Sequence, residues 1–233
     1  MTDSRSEVTT GSGTTVVPFV RARTPEHKAL RREAILDAAR ALALDRGVRG
    51  VTLGDLADEV GLAKSNVVRY FGTREEIFVE LSTRESVVVR DVLLRRLEDA
   101  SPATVPTIVA TTIAEHELFC ELVSQLTTHL EHHVSFGAAE RLKLGMHAVV
   151  ADLIEALVRV CPGLSADGAA LFVNAATLVT SGLWAASRPS DTLREVYAAH
   201  PELPQLDTGI ASQVEQILAA LLRGLLADPA PTA

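Results

Sequence analysis

A chain of 233 residues that is 47% hydrophobic but only 4% aromatic has room for one large domain, or a small one beside a medium one, with a core of Ala, Leu and Val rather than rings. Its two cysteines, Cys120 and Cys161, stand far apart with no metal or CxxC spacing, and no stretch near residue 1 has the order of a signal peptide; a disulfide scaffold is excluded, and a soluble cytoplasmic protein with reduced thiols is expected. The net charge of −8 argues against a nucleic-acid partner only on average: residues 21–75 carry eleven Lys/Arg against eight Asp/Glu, and the remainder eleven against twenty-two, a basic head on an acidic body.

In chain order, residues 1–23 are rich in Ser, Thr and Gly and read as a disordered arm. Thr24-Pro25 opens a first helix with a hydroxyl cap and a proline at the first helical position. Ile35, Leu36, Ala39, Leu42 and Ala43 give it one apolar stripe, and Gly47 can end it. Thr52-Leu53-Gly54-Asp55 is a capping-box pattern, and Thr73-Arg74-Glu75-Glu76 repeats it at a long helix running to about Glu98. Between the boxes lie two short helices joined by Gly61, whose place in a tight turn calls for positive φ. Leu56, Val60, Leu62 and Val67 pack them, with Ala57 at the crossing. This is a helix-turn-helix whose second helix, about Lys64 to Tyr70, exposes Lys64, Ser65, Asn66 and Arg69 to base edges or phosphates. An ordinary helical hairpin kept as structure, hence an interaction module, would show the same pattern.

Beyond Ser101-Pro102 the periodicity predicts helices near 103–114, 117–134, 138–160, 165–187 and 207–227. The breaks fall around Gly137, at Cys161-Pro162-Gly163 and across 189–206, and residues 229–233 form a tail. From Gly168 to Ser187 no charge occurs, but Asn174, Thr177, Thr180, Ser181 and two glycines interrupt the run; a buried helix is expected rather than a membrane span. In the last helix Ile210, Val214, Ile217, Leu218, Leu221, Leu222 and Leu225 form a wide apolar face, suited to closing the monomer core or to pairing two copies. A ligand pocket has two candidate walls. One is the stripe Phe119, Leu122, Leu126, His129 and His133; the other is Asn174, Thr177, Ser181 and Trp184, which share a face suited still better to close helix packing between two copies. His129 and His133 have metal-compatible i, i+4 spacing, and with His116 they would be the basis of a metal-dependent enzyme. No third ligand falls at a persuasive distance, and no nucleophile or phosphate-binding motif occurs, so neither metal, cofactor nor enzyme is expected.

The run GLAKSNVVRYFGTREEIF, residues 61–78, resembles the DNA-binding signature of the tetracycline-repressor (TetR) family, with the aromatic pair Tyr70-Phe71 and the helix start Thr73-Arg74-Glu75. EAILDAARALALDRGVRGVTLGDLADEVG before it is similar to the family's first two helices. Val68 departs from the pattern, standing where many members carry an aromatic residue, and receives no DNA role. The resemblance implies an all-α protein: a three-helix DNA-binding domain over 24–72 and a helical ligand-binding and dimerisation domain over 73–228. It implies a DNA-binding transcriptional regulator, commonly a repressor, that acts as a homodimer through its last two helices on palindromic double-stranded operator DNA and is released by a small-molecule effector. In that reading Thr52 binds phosphate at a helix N-terminus. Lys64, Ser65 and Asn66 approach bases, Arg69 meets base or phosphate, Tyr70 touches the backbone, and Thr73 and Arg74 clamp phosphate.

Overall fold

The computed structural model describes residues 25–126, 128–204 and 209–227; the expected arm over 1–23, the cap at Thr24 and the tail over 229–233 lie outside them. The described residues form ten α-helices and no strand: α1 Pro25–Arg46, α2 Leu53–Glu59, α3 Lys64–Phe71, α4 Arg74–Leu97, α5 Val105–Ala114, α6 Glu117–Leu126, α7 Phe136–Val160, α8 Ala166–Ala186, α9 Asp191–Ala199 and α10 Ile210–Ala227. Short 3₁₀ turns at Val48–Gly50 and Leu130–His133 follow α1 and α6.

The stripe of α1 is buried as expected, and the helix ends at Arg46 before Gly47, whose φ is 76° with an extended ψ of 157°. Thr52 forms a complete capping box with Asp55. The second box is only half made. Thr73 accepts the N–H of Glu76, but the Glu76 carboxylate reaches across to the N–H of Ser135 at 2.9 Å. Gly61 has φ 62° at the turn between α2 and α3, and Leu56, Ala57 and Val67 are fully packed there. Gly72 has φ 78° and ψ −68°, and the N–H of Thr73 donates to the carbonyl of Phe71 at 3.0 Å. That is a γ-turn of the strained hand, and it swings the chain from α3 into α4 within one residue.

Two buried clusters organise the rest. One unites α1, the 3₁₀ turn, α2 and α3 with Ile77, Phe78 and Leu81 of α4, Leu118, Leu122 and Leu126 of α6, and Leu142 of α7. The other gathers α5, α8 and α10 around the C-terminal halves of α4 and α7. Helix α4 belongs to both, and the first cluster runs past the expected boundary at residue 72. Three expectations need correction. The helix foreseen over 117–134 stops at Leu126. The break expected near Gly137 is in fact the first turn of α7, capped by the Ser135 hydroxyl. The stretch 189–206 contains α9, capped by Ser190, with no buried side chain. Helices α8 and α10 are long and apolar enough to cross a membrane by length and composition alone, but here they pack on each other and on α5, α6 and α7.

Candidate nucleic-acid interface and ligand cavity

Helix α3 turns Val67 and Phe71 into the core, so its opposite side faces out. Lys64, Ser65 and Arg69 come together on that surface, with Asn66 half-buried at its edge. Arg32 secures the far end of the helix: its guanidinium lies 4.0 Å above the Phe71 ring, donates to the Tyr70 carbonyl and pairs with Glu80. Tyr70, half-buried, lines a polar cleft with Lys28, Thr83 and Arg141. Val68 is 39% exposed beside Arg69. It lies one turn from Lys64 on the same outward surface of α3.

The remaining expected DNA residues also make bonds within the protein. Thr52 is exposed at the start of α2, but its N–H and hydroxyl both donate to the Asp55 carboxylate at 2.7 Å. These bonds hold the Asp55 carboxyl below its usual range, and a phosphate would have to share the donors. Thr73 donates its hydroxyl to the carbonyl of His133 at 3.1 Å. Arg74 points inward rather than toward solvent. It donates to the carbonyls of Val51 (2.6 Å) and Val48, pairs with Glu75 and stacks on Phe78. Its guanidinium fastens the turn after α1 to the start of α4.

A cavity of 310 Å³ lies between α4, α5, α6, α7 and α8. Of the residues expected to line it, Phe119, Leu126, Asn174 and Thr177 do so; Leu122, His129, His133, Ser181 and Trp184 do not. Leu122 is buried on the other side of α6, in the head cluster. His129 and His133 lie beyond the end of α6, both exposed, with ring centroids 6.3 Å apart. His116 turns back to the Thr112 carbonyl at 2.7 Å. Among the described residues no group of three His, Cys, Asp or Glu could hold a metal. Thr177 is the last residue of α8 to reach the cavity; Trp184 is about 10 Å further along the axis, packed in the second cluster beneath the guanidinium of Arg188. The sequence reading missed the longest walls, Val89, Leu93 and Leu97 of α4 and Met146, Val149, Leu153 and Leu157 of α7, although their three- and four-residue spacing was the available signal.

Both cysteines are buried and free. Cys120 donates its thiol to the Ile113 carbonyl at 3.2 Å, and burial pushes the thiol up to about 12, so it takes no part in nucleophilic chemistry.

Besides the ion pairs of α4 with α1, such as Arg40–Glu85 at 2.8 Å and Arg84–Asp37 at 2.9 Å, three polar contacts tie α6 and the turn after it to the head. Glu121 of α6 accepts the N–H of Val48 at 2.7 Å. The other two come from the turn after α6: its His133 carbonyl holds Thr73, and Ser135 just beyond it donates its N–H to Glu76.

Two family descriptions match the chain: "Bacterial regulatory proteins, tetR family" over residues 35–81, and "Tetracyclin repressor-like, C-terminal domain" over residues 85–229. Among solved structures, FadR of Thermus thermophilus, a TetR-family transcriptional repressor in complex with lauroyl-CoA, is 18% identical with a TM-score of 0.55, over 87% of this chain and 99% of that one. The fatty acid degradation regulator FadR of Bacillus halodurans is 14% identical with a TM-score of 0.50, over 85% and 97%. RolR in complex with resorcinol is 15% identical with a TM-score of 0.50, over 90% and 99%. At these identities the likeness is one of fold. No curated protein matches the chain by sequence. Members of the matched family are regulators of transcription, not enzymes. With the second description alone spanning more than half its length, the chain belongs to the TetR family of bacterial DNA-binding transcriptional regulators.

Proposed function

We propose that this regulator is a cytoplasmic repressor that grips a near-palindromic operator as a homodimer and lets go when a small molecule fills the cavity between α4 and α8. One observation carries the reading. Helix α4 is unbroken from Arg74, beside the recognition helix, to Leu97 in the cavity wall. Its 24 residues make a rod of about 36 Å, so a side chain displaced in the cavity must move something at the head. The domain over 24–72 then reads DNA through Lys64, Ser65, Asn66, Val68 and Arg69, with Tyr70, Thr52 and Thr73 near the backbone. The rest of the chain, to 228, senses the ligand and pairs the subunits.

Pairing is supported by the outer faces of α8 and α10. Leu171 and Leu178 are 53% and 69% exposed and Ile217 is 44% exposed, which suits a second copy better than water. Proteins of the same fold hold small organic molecules, lauroyl-CoA in one and resorcinol in another; what transfers to this chain is the use of the cavity, not either compound.

The test is to incubate the purified protein with fragmented genomic DNA at near-physiological salt, sequence what is retained, and place the recovered site before a reporter gene. A few sites sharing one near-palindrome, and a reporter silenced by the protein, are the expected result. Folded protein that enriches no site would sink the reading, and a reporter that is switched on would replace repression with activation.

A further inference from the structure

The cavity is polar at one end and apolar at the other. Helices α4 and α7 run side by side in the same direction, with Gly145 against Thr83 and Asp152 on Arg90. Along α4 the cavity extends from Ser86 to Leu97, about 16 Å at the helical rise. Leu97, Val109, Ile113 and Leu157 close the far end with no polar atom among their side chains, whereas Glu131 and Lys143 sit at the end nearest the head.

Three charged side chains line the space: Arg90, Lys143 and Glu131. Arg90 is held by two carboxylates, with Nε and one amino group on Asp91 and the other on Asp152. Lys143 is not. Its ammonium has three donors and makes one contact, with the Glu131 carboxylate at 2.8 Å, on a side chain that is mostly exposed at the rim of the cavity. Glu131 belongs to the turn Leu130–His133. That turn presents the His133 carbonyl to Thr73, and Ser135 two residues further on gives its N–H to Glu76 at the start of α4.

Building on the release reading above, we propose that the effector is an elongated apolar molecule ending in a single carboxylate, and that it acts by taking Lys143 from Glu131. The apolar tail lies along α4 toward Leu97. The carboxylate meets the lysine, and the freed Glu131 slackens the turn that braces Thr73 and Glu76. An anion fits better than a cation because Lys143 keeps two of its three N–H donors unbonded, whereas the carboxylate of Glu131, the one acid in the lining, already holds that lysine. The volume of 310 Å³ takes about ten non-hydrogen atoms at the ~30 Å³ of a water-sized group, and decanoate, slightly longer and with its carboxylate at the open, polar end, is a suitable probe.

The experiment measures thermal stabilisation and release from the recovered operator with decanoate, decanol and decylamine, all below their micellar range. Decanoate is expected to stabilise the protein and release DNA about tenfold more effectively than decanol, the size of effect a charge-assisted hydrogen bond gives. Lys143→Met should erase that preference while still binding decanol. Glu131→Gln, which removes the competitor, should bind decanoate several-fold tighter and operator several-fold weaker even without ligand. Equal potency of acid and alcohol, a preference for the amine, or no stabilisation by any of the three would overturn the ligand class. A wider compound screen for release would then decide the release reading by itself. Stabilisation by decanoate with operator affinity unchanged would overturn the coupling through Glu131 and weaken the release reading with it.

Discussion

Glu121 and Asp55 are carboxylates at the two ends of the same short stretch, and their surroundings push them in opposite directions. Burial raises the Glu121 carboxyl above its ordinary range, against the N–H of Val48, Arg188, Gln125 and Arg49, which favour the charged form. The folded state then holds a proton the unfolded chain has already released, so stability declines as pH climbs from the ordinary carboxylate range through the raised value. Asp55, bonded to the Thr52 hydroxyl and N–H, has the reverse sign: its contribution is present above the ordinary range and is lost as pH falls through the lowered value. Glu121→Gln retains an oxygen for Val48 and should flatten the decline with rising pH in urea melts. Glu121→Ala strands the Val48 N–H and should cost about 1–3 kcal/mol at any pH. A Gln variant with an unchanged pH slope would rule out Glu121 as its source.

At the level of elements, the turn at Gly72 is the sharpest demand the backbone makes. A Cβ there would meet the Glu76 carboxylate at 3.1 Å in a φ region that L side chains rarely adopt. Gly72→Ala should lower stability by about 1–3 kcal/mol and weaken operator binding further, since it misdirects α3 relative to α4; a variant with native melting and native affinity would refute this. The helix-turn-helix was legible in the sequence because its cues are local: the Thr52–Asp55 box, Gly61, and the inward set Leu56, Ala57 and Val67. Helix α9 escaped notice because Pro189, Pro201 and Pro204 surround it, and nine residues between prolines read as a break even with Ser190 as cap. The cavity was only half legible for a tertiary reason. Helix α6 packs on two bodies at once, so one periodic stripe divides, Phe119 and Leu126 to the cavity and Leu122 to the head. The inward turn of Arg74 was not legible because its type and position fit a phosphate equally well, and only the fold shows the carbonyls of Val48 and Val51 within its reach.

At the scale of the whole molecule, the proposed pairing of two copies rests on the exposed leucines of α8. Leu178 is among the most exposed large apolar side chains of the described residues, so Leu178→Glu should leave the fold of the 24.9 kDa chain intact. In the proposed homodimer the same change would set a charge against its symmetry mate across the two-fold axis. The variant should sediment as a monomer, melt as a monomer, and lose most of its operator affinity, because one head covers too little DNA. A dimeric Leu178→Glu protein would move the interface elsewhere.

The chain has one tryptophan, and it sits where α8 ends. Trp184 is buried, with the guanidinium of Arg188 3.1 Å from its ring centroid, and the charge of that same arginine is felt at Glu121, which holds Val48. Every photon of indole emission from the chain therefore originates at the joint where the end of α8 packs against α6. The unlabelled protein carries its own optical gauge: a shift in colour or intensity on adding ligand or DNA reads that joint alone, with no second indole to dilute it.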